Sequence, residues 1–166
     1  MGKVANQTEA LMVNVNQYPY GNNYKKKAAT SQRFFMTFCA LSSAKGMDIK
    51  MNKISIVIPC FNEEEALPVY YEEMSRIMKQ MQGVDFELLF VDDGSSDRTL
   101  GIMKSLHERD ERCKYLSFSR NFGKEAAIYA GLSNAEGNYV AIMDVDLQDP
   151  PSLLPEMYRT LVESRS

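Results

Sequence analysis

From residue 54 onward, short apolar runs alternate with segments of helical periodicity, and this alternation constrains the fold more than any other feature of the chain. The four runs, at residues 54–58, 86–91, 114–119 and 139–143, are too apolar to face water on either side. A segment with apolar residues at helical spacing follows each run. The order βαβαβαβα predicts an α/β fold with an open, mostly parallel, Rossmann-like sheet and helices on both faces.

The helical segments carry recognisable end signals. Asn62 and Glu65 have the spacing of a capping box ahead of the first helix, which ends before Gly83. Asp97 is placed to cap the second helix through its side chain. The third helix is predicted over residues 124–134. Each helix can then be the crossover that a parallel strand pair needs.

The first fifty residues lack any persistent helical or strand period, so we expect residues 1–50 to be a poorly ordered leader and residues 51–166 to be the folded domain. Residues 25–41, three lysines and then an apolar stretch, partly resemble a secretory signal. Such signals start at the N-terminus, whereas more than twenty residues precede these lysines, so a loose leader is favoured. Alternatively, the working protein starts at Met47 or Met51.

Composition excludes several classes of partner. Nineteen Lys and Arg against twenty-two Asp and Glu give a net charge of −3 and a pI near 5.3, so no global field draws the chain to nucleic acid or to an anionic bilayer. The three cysteines are odd in number and widely spaced, which favours a reducing, cytosolic compartment. No apolar stretch approaches the roughly 20 residues of a membrane-spanning helix, so no transmembrane segment is predicted.

Polar segments follow all four predicted strands, at residues 59–63, 92–97, 120–124 and 144–149. The amino ends of the strands carry nothing comparable. Because the ligand crevice of an open parallel sheet lies outside the carboxyl ends of its strands, we expect these four loops to converge on one site.

Asp144 and Asp146 alternate along an extended segment, so both carboxylates can reach one cation if Val145 points away. Gln148, at the next alternate position, can supply a neutral oxygen. Mg²⁺ or Mn²⁺ would take its remaining ligands from water and substrate phosphates. The alternatives are a calcium loop or a solvated acidic turn, but Pro150 stands where an EF-hand would continue.

Asp92 and Asp93 follow a buried strand and precede Gly94, a composition that also suits a tight turn. Each of these adjacent acids must be solvated or paired with a ligand. A carboxylate at this position can accept a hydrogen bond from a base N–H or a ribose hydroxyl. Asp92 and Asp93 are therefore candidates for nucleoside binding.

The two commonest phosphate loops, GxxxxGKS/T and GxGxxG, are absent from the sequence, so a metal ion would have to neutralise bound phosphates. Arg120 and Lys124 flank Gly123 at a predicted helix N-terminus, which is a favourable anion site. They could equally be ordinary surface charges. His107 lies on a helix far from these loops and is discounted as a catalytic base.

Four blocks of residues, 56–64, 91–97, 119–127 and 144–151, together resemble the family 2 glycosyltransferases of GT-A fold. More narrowly, they are similar to the bacterial polyprenyl-phosphate glycosyltransferases and the dolichyl-phosphate mannose synthases. The blocks occur in the order of the family, and the resemblance extends over residues 51–166.

This resemblance implies transfer of a sugar from a nucleotide-sugar donor, a UDP-sugar, to a polyprenyl phosphate acceptor, assisted by Mg²⁺ or Mn²⁺. It also implies a position on the cytoplasmic side of the membrane, reached through the acceptor or through helices beyond residue 166. It assigns the nucleoside to Pro59, Phe61, Glu63 and Asp92 or Asp93, with Lys124 and Asp144 as further nucleotide contacts, and the metal to Asp144 and Asp146 as a DxD motif with Gln148 beside them.

Two departures from the family pattern matter. The first is Val145, which stands where close relatives usually have Ala. The second is that family members continue past residue 166, so we expect the GT-A domain to be truncated here. A lipid phosphate acceptor is already largely ionised near neutral pH, since such oxygens titrate near about 6, so we name no catalytic base. The alternatives are a family 2 transferase with a polysaccharide or other acceptor, and a catalytically incomplete nucleotide-binding fragment.

Overall fold

The protein contains one five-stranded sheet with helices packed against it. The structure is a computed structural model, and it describes residues 11–14, 52–146 and 150–163. None of the helices within these ranges combines the length and the apolar character needed to cross a bilayer. The strands are β1 (Leu11–Asn14), β2 (Asn52–Cys60), β3 (Val84–Asp92), β4 (Cys113–Ser117) and β5 (Tyr139–Ile142). The helices are α1 (Ala66–Gln80), α2 (Thr99–Arg109), α3 (Lys124–Asn134) and α4 (Leu154–Glu163), with a 3₁₀ turn (Pro151–Leu153) before α4.

The five strands lie in the order β1-β5-β2-β3-β4. β2 pairs in parallel with both β3 and β5, and β3 pairs in parallel with β4, which confirms the predicted parallel sheet. β1 pairs antiparallel with β5, with Leu11 opposite Ile142. This edge strand lies inside the segment in which we expected no strand, and the remainder of residues 1–51 lies outside the described residues.

Successive side chains of β2 point to opposite faces of the sheet, and each face carries a hydrophobic core. Ile54, Ile56 and Ile58 belong to the larger buried cluster, which also contains side chains of α1, α2 and α4. Val57 points the other way and packs in a second cluster together with residues of α3 and β5. A Cβ added at Gly131 of α3 would lie 2.2 Å from Val57 Cγ1, so this helix lies close against the sheet. Helices therefore cover both faces, as predicted.

The loop before α1 differs from the predicted capping box. The N-cap position is Glu65, and no side-chain hydrogen bond caps the helix. Asn62 instead adopts a left-handed conformation with φ 55°, and its Oδ1 accepts a hydrogen bond from Ser96 N at 2.9 Å. The capping-box prediction is wrong because a neighbouring loop supplies the better donor. Asp97 lies one residue before the N-cap of α2, which is Arg98 and has no side-chain cap of its own. The Oδ1 of Asp97 still accepts a hydrogen bond from Thr99 N, the first residue of α2, at 2.9 Å, so the predicted cap is displaced by one residue.

A buried charge cluster lies towards the amino ends of the strands, where the sequence predicted nothing comparable. Glu87 of β3 is 1% exposed and contacts Ser55 Oγ at 2.5 Å, Lys114 Nζ at 2.7 Å and the backbone amide of Glu136 at 3.0 Å. Burial alone would raise the pKa of Glu87, but hydrogen bonds from Lys114, Ser55 and Glu136 and the charge of Lys53 together lower it. This cluster fixes the start of β5 against β2, β3 and β4.

Candidate functional site

The loops that follow β2, β3, β4 and β5 meet at the carboxyl edge of the sheet and enclose a cleft of about 260 Å³. The cleft lies where the strand order reverses around β2, which is where open α/β sheets bind ligands. The predicted convergence of the polar loops is therefore confirmed. The lining residues are Pro59, Cys60, Phe61, Glu63, Asp93, Asn121, Gly123, Lys124, Ala127, Asp144, Val145 and Asp146.

Hydrogen bonds to the loop after β3 hold the loop after β2 in place. Asn62 N donates to Ser95 Oγ at 2.9 Å, and Glu63 N donates to Thr99 Oγ1 at 2.7 Å. These bonds fix the backbone at Asn62 and Glu63, and the ring of the neighbouring Phe61 is 45% exposed. An exposed aromatic ring on a fixed backbone is a suitable surface for stacking a planar base.

Asp92 and Asp93 are both buried, and donors of the chain itself satisfy their carboxylates. Asp92 accepts from Ser95 N at 2.9 Å and from Ser117 Oγ at 2.8 Å. Asp93 accepts from the backbone amides of residues 122–123 at 2.7 and 2.9 Å. The two acids therefore tie the loops after β3 and β4 together. Asp93 also lines the cleft, whereas Asp92 lies behind it.

The loops after β3 and β4 are also in backbone contact. Gly94 has φ 72°, and a Cβ there would lie 2.3 Å from the carbonyl carbon of Arg120. The Arg120 guanidinium lies over the Phe122 ring at 4.3 Å, and Phe122 packs edge-on against Phe118. Arg120 is thus engaged at the rim, and of the two cations predicted for this loop, Lys124 is the one that lines the cleft.

Negative charge is concentrated on one side of the cleft. Asp144 is mostly buried, and its Oδ2 accepts a hydrogen bond from the half-exposed Lys124 Nζ at 2.6 Å. Burial and the charges of Asp146, Asp97 and Asp144 raise the pKa of Glu63. Glu63 therefore shares its electrostatic environment with both aspartates of the predicted metal motif, and Lys124 is the ammonium group that offsets them.

The carboxylates present suit a hard divalent cation. Asp144 and Asp146 supply oxygen ligands, which Mg²⁺ and Mn²⁺ prefer, and Lys124 already holds a positive charge against one of them. Across residues 52–146 and 150–163, no group of three His, Cys, Asp or Glu side chains is arranged to hold a metal ion. Gln148 lies outside the described residues.

Most lining residues lie in the four predicted loops, but the sequence did not assign a role to each of them. Cys60 belongs to the segment 59–63 that was expected at the site, but no role was predicted for it, and it lines the cleft. Burial and the charges of Glu63, Asp92 and Asp144 raise the pKa of the Cys60 thiol well above its usual value. The thiol therefore stays protonated and does not act as a nucleophile. His107, which we discounted, has Nδ1 at 2.6 Å from the Cys113 carbonyl, away from the cleft.

The sequence of this chain is similar to sequences of known proteins. The family model described as glycosyl transferase family 2 matches residues 55–166. The bactoprenol glucosyl transferase of Shigella phage SfV is 47% identical over 105 residues, which are 63% of this chain and 34% of that protein. The undecaprenyl-phosphate 4-deoxy-4-formamido-L-arabinose transferase of Proteus mirabilis is 39% identical over 115 residues, 69% of this chain and 35% of that protein.

Among solved structures, the mannosyltransferase PcManGT from Pyrobaculum calidifontis, in complex with GDP-Man and Mn²⁺, has a similar fold. The TM-score is 0.51 at 20% identity, covering 59% of this chain and 28% of that one. The chain spans about a third of the length of the curated relatives it matches. Fold and family model agree with the motifs in the sequence, and the chain belongs to glycosyl transferase family 2, with a GT-A fold.

Proposed function

We propose that this chain forms the donor site of a glycosyltransferase that transfers a sugar from a UDP-sugar to polyprenyl phosphate. The observation that carries the proposal is the contact of Lys124 with Asp144, beside Asp146, in the cleft of a family 2 fold. Carboxylates can hold a divalent cation, and an ammonium group can contact phosphate. A nucleoside diphosphate joined to a sugar is a ligand that needs both.

Asp144 and Asp146 are the residues that would hold Mg²⁺ or Mn²⁺, with Gln148 as a candidate neutral ligand beside them. The mannosyltransferase of similar fold was solved with Mn²⁺ and GDP-Man, which supports a metal-assisted reaction here. When bound, the cation supplies Lewis-acid stabilisation of the charge that develops on the departing diphosphate. Lys124 would leave Asp144 and contact a phosphate oxygen.

The nucleoside would lie against the wall formed by Pro59, Phe61, Glu63 and Asp93. Phe61 offers an exposed ring face for the base, and the carboxylates of Glu63 and Asp93 are acceptors for N–H or hydroxyl donors. Asp92 would support this wall from behind, through its hydrogen bonds to Ser95 and Ser117. A loop with these hydrogen bonds is fixed before the ligand arrives, which lowers the entropic cost of binding.

The relatives support polyprenyl phosphate as the acceptor, because their names specify bactoprenol and undecaprenyl phosphate. A phosphate monoester is largely ionised near neutral pH, so its oxygen is already a nucleophile and needs no strong general base. This acceptor would bring the protein to the membrane, and we place the reaction on its cytoplasmic side.

Two measurements test the donor and acceptor proposals separately. Calorimetry gives the affinity for UDP, with GDP as the control nucleotide, in the presence and absence of Mn²⁺. A transfer assay follows labelled glucose from UDP-glucose into the lipid phase in the presence of polyprenyl phosphate. We expect metal-dependent binding of UDP, with little labelled lipid from this chain alone, and labelled lipid from a longer chain that includes an acceptor-binding part.

The outcomes distinguish the alternatives. Label in a soluble oligosaccharide acceptor, and none in lipid, would identify a family 2 transferase with another acceptor. Metal-dependent UDP binding without transfer to either acceptor would leave a nucleotide-binding unit that is catalytically incomplete. Affinity for UDP that is absent or indifferent to Mn²⁺ would contradict the metal-assisted donor site itself.

A further inference from the structure

The residues that follow β2 divide into two alternating sets. Phe61 and Glu63 line the cleft, whereas the side chains of Asn62 and Glu64 are hydrogen-bonded to the segment between β3 and α2. Asn62 Oδ1 accepts hydrogen bonds from Ser96 N at 2.9 Å and from Ser96 Oγ at 3.3 Å. One short loop therefore presents alternate side chains to a ligand site and to a neighbouring loop.

The hydrogen bonds between these two segments are reciprocal. Glu64 N donates to Asp97 Oδ2 at 3.1 Å, and Glu64 Oε2 accepts from Arg98 N at 2.9 Å. Asn62 has the same pattern, since its amide donates to Ser95 Oγ and its Oδ1 accepts from the amide of the following serine. Because each residue both donates and accepts, the segment that carries the cleft wall cannot shift without breaking bonds at both residues.

Asn62 adopts a backbone conformation that most residues avoid. Its φ of 55° lies in the left-handed region, and it is the one non-glycine residue with a positive φ in the part of the chain that the structure describes. Asn is among the few residues that tolerate this conformation. Such conformations persist where the surrounding structure determines them, and they cluster at functional sites. The turn at Asn62 leaves Phe61 and Glu63, on either side of it, in the cleft wall.

We propose that Asn62 and Glu64 are positioning residues for nucleoside recognition: they hold Phe61 and Glu63 in the arrangement that receives the base and the ribose before the ligand arrives. The inference rests on the proposed function, because it needs a nucleoside at this wall. Neither Asn62 nor Glu64 lines the cleft, so both act through their neighbours. Their effect is confined to the nucleoside, because the side chains proposed to hold the diphosphate and the metal come from other loops.

Two substitutions of Asn62 separate its hydrogen bonds from its backbone conformation. Glycine keeps the left-handed conformation and removes the Oδ1 acceptor, whereas aspartate tolerates the conformation and keeps an acceptor. We expect Asn62→Gly to weaken UDP binding in Mn²⁺ about tenfold, because the ligand must then order the loop, and Asn62→Asp to restore most of that loss. Binding of pyrophosphate in Mn²⁺, which needs no nucleoside wall, should be unchanged in both variants. Calorimetry measures both affinities, and unchanged pyrophosphate binding also shows that each variant is folded.

Glu64→Ala is the second test, and Glu73→Ala is its matched control. Glu73 accepts a hydrogen bond from Arg76 Nε at 3.0 Å, just as Glu64 accepts one from Arg98 Nε at 3.1 Å. The pair of Glu73 and Arg76 lies within α1 and outside the cleft. We expect Glu64→Ala to weaken UDP binding about fivefold and to leave pyrophosphate binding unchanged. Glu73→Ala should leave both affinities unchanged.

Three results would overturn the inference. The first is an Asn62→Gly variant that binds UDP as tightly as the wild type, and the second is an Asn62→Asp variant as weak as Asn62→Gly. The third is an equal loss of UDP and pyrophosphate affinity, which indicates a general disturbance of the site. A wild type that does not bind UDP in Mn²⁺ overturns the proposed donor site instead. The two kinds of failure are distinguishable, because only the last appears in the wild type.

Discussion

Asp144 and Asp146 differ in their surroundings although they are two residues apart. Asp144 is mostly buried and hydrogen-bonded to Lys124, whereas Asp146 is exposed at the mouth of the cleft. Two carboxylates supply charge but too few ligands for Mg²⁺, which keeps water or takes phosphate oxygens to complete six-fold coordination. Metal binding should therefore depend on the nucleotide.

Asp146→Asn keeps the shape of the side chain and removes one negative charge. We expect it to weaken UDP binding in Mn²⁺ by at least the ~10-fold that loss of an outer-shell partner costs, and to leave binding without Mn²⁺ unchanged. Gln148→Ala should weaken it less, because water can replace a neutral amide oxygen. Calorimetry on the wild type and the two variants measures both effects. If Asp146→Asn binds UDP in Mn²⁺ as tightly as the wild type, the metal role is wrong and this loop is a solvated acidic turn.

Lys124 should weaken the binding of Mn²⁺ alone and strengthen the binding of UDP in Mn²⁺, and one substitution can separate these two effects. Lys124→Met keeps the length of the side chain but releases Asp144, so Mn²⁺ alone should bind more tightly than it does to the wild type. The same variant should bind UDP in Mn²⁺ less tightly, because a phosphate contact is lost. Mn²⁺ titration followed by electron paramagnetic resonance gives the first value and calorimetry the second.

The control for Lys124→Met is Arg120→Met, which removes a cation from the same loop. Arg120 lies over the Phe122 ring at the rim and does not line the cleft. Its loss should leave both affinities unchanged. Equal effects of the two substitutions would indicate that only the net charge of the loop matters, and would contradict a specific role for Lys124.

The roles of Asp92 and Asp93 illustrate what the sequence could and could not predict about single residues. Their position after a buried strand predicted that each is solvated or paired with a ligand, whereas both are buried and hydrogen-bonded to donors of the chain itself. The distant partners could not be predicted, because Ser117 lies 25 residues from Asp92, and the amides of residues 122–123 lie 29 and 30 residues from Asp93. Only the packing of one loop against another brings them together.

The contact between the loops after β3 and β4 depends on a glycine. Gly94→Ala would place a Cβ 2.3 Å from the backbone of Arg120 and would force a side chain into a left-handed conformation. We expect it to lower the free energy of unfolding by about 1–3 kcal/mol, the usual cost of such strain, and to weaken UDP binding as the loops separate. Urea denaturation measures the first quantity and calorimetry the second.

Gly101→Ala is the matched control for Gly94→Ala. Gly101 lies within α2, and a Cβ there would meet no atom within 4 Å. Alanine should therefore stabilise the protein by roughly 0.5–1 kcal/mol, because it is the better helix former. If Gly94→Ala were as stable as the wild type, the close approach of the two loops would be wrong.

Local sequence signals predicted the helices and strands well where tertiary contacts do not override them. The helix predicted over residues 124–134 is α3, with the same first and last residues. The capping box failed at Asn62 because Ser96 competes for its side chain, and this competition is a tertiary effect. β1 was missed for a similar reason, since four residues carry little periodicity and their partner strand lies more than 120 residues away.

One ion pair makes a testable contribution to the dependence of the protein's stability on pH. Hydrogen bonds from Arg112 lower the pKa of Asp110 to about 2, from an ordinary value of 3.8. Because the pKa is lower in the folded protein, the stabilisation is fully present above pH 3.8 and is lost as the pH falls towards 2. The shift corresponds to about 2 kcal/mol.

We therefore expect the free energy of unfolding to decrease as the pH falls from 4 to 2, and to decrease less steeply in Asp110→Asn. Urea denaturation at a series of pH values measures both slopes. The variant should be less stable than the wild type at pH 7 and should approach it at low pH. Parallel curves for the two proteins would show that Asp110 does not have the low pKa that its contacts indicate.

The strand order β1-β5-β2-β3-β4 also has a consequence for folding during synthesis. As the chain leaves the ribosome, β2, β3 and β4 can pair one after another, because each neighbour follows in sequence. One edge of β2 must then wait for residues 139–142, since β5 pairs there. Until that moment this apolar edge is open to wrong partners, as unpaired strand edges generally are. Asp144 and Asp146 emerge directly after β5, so the nascent chain closes the centre of its sheet and completes the acidic side of its cleft in the same step.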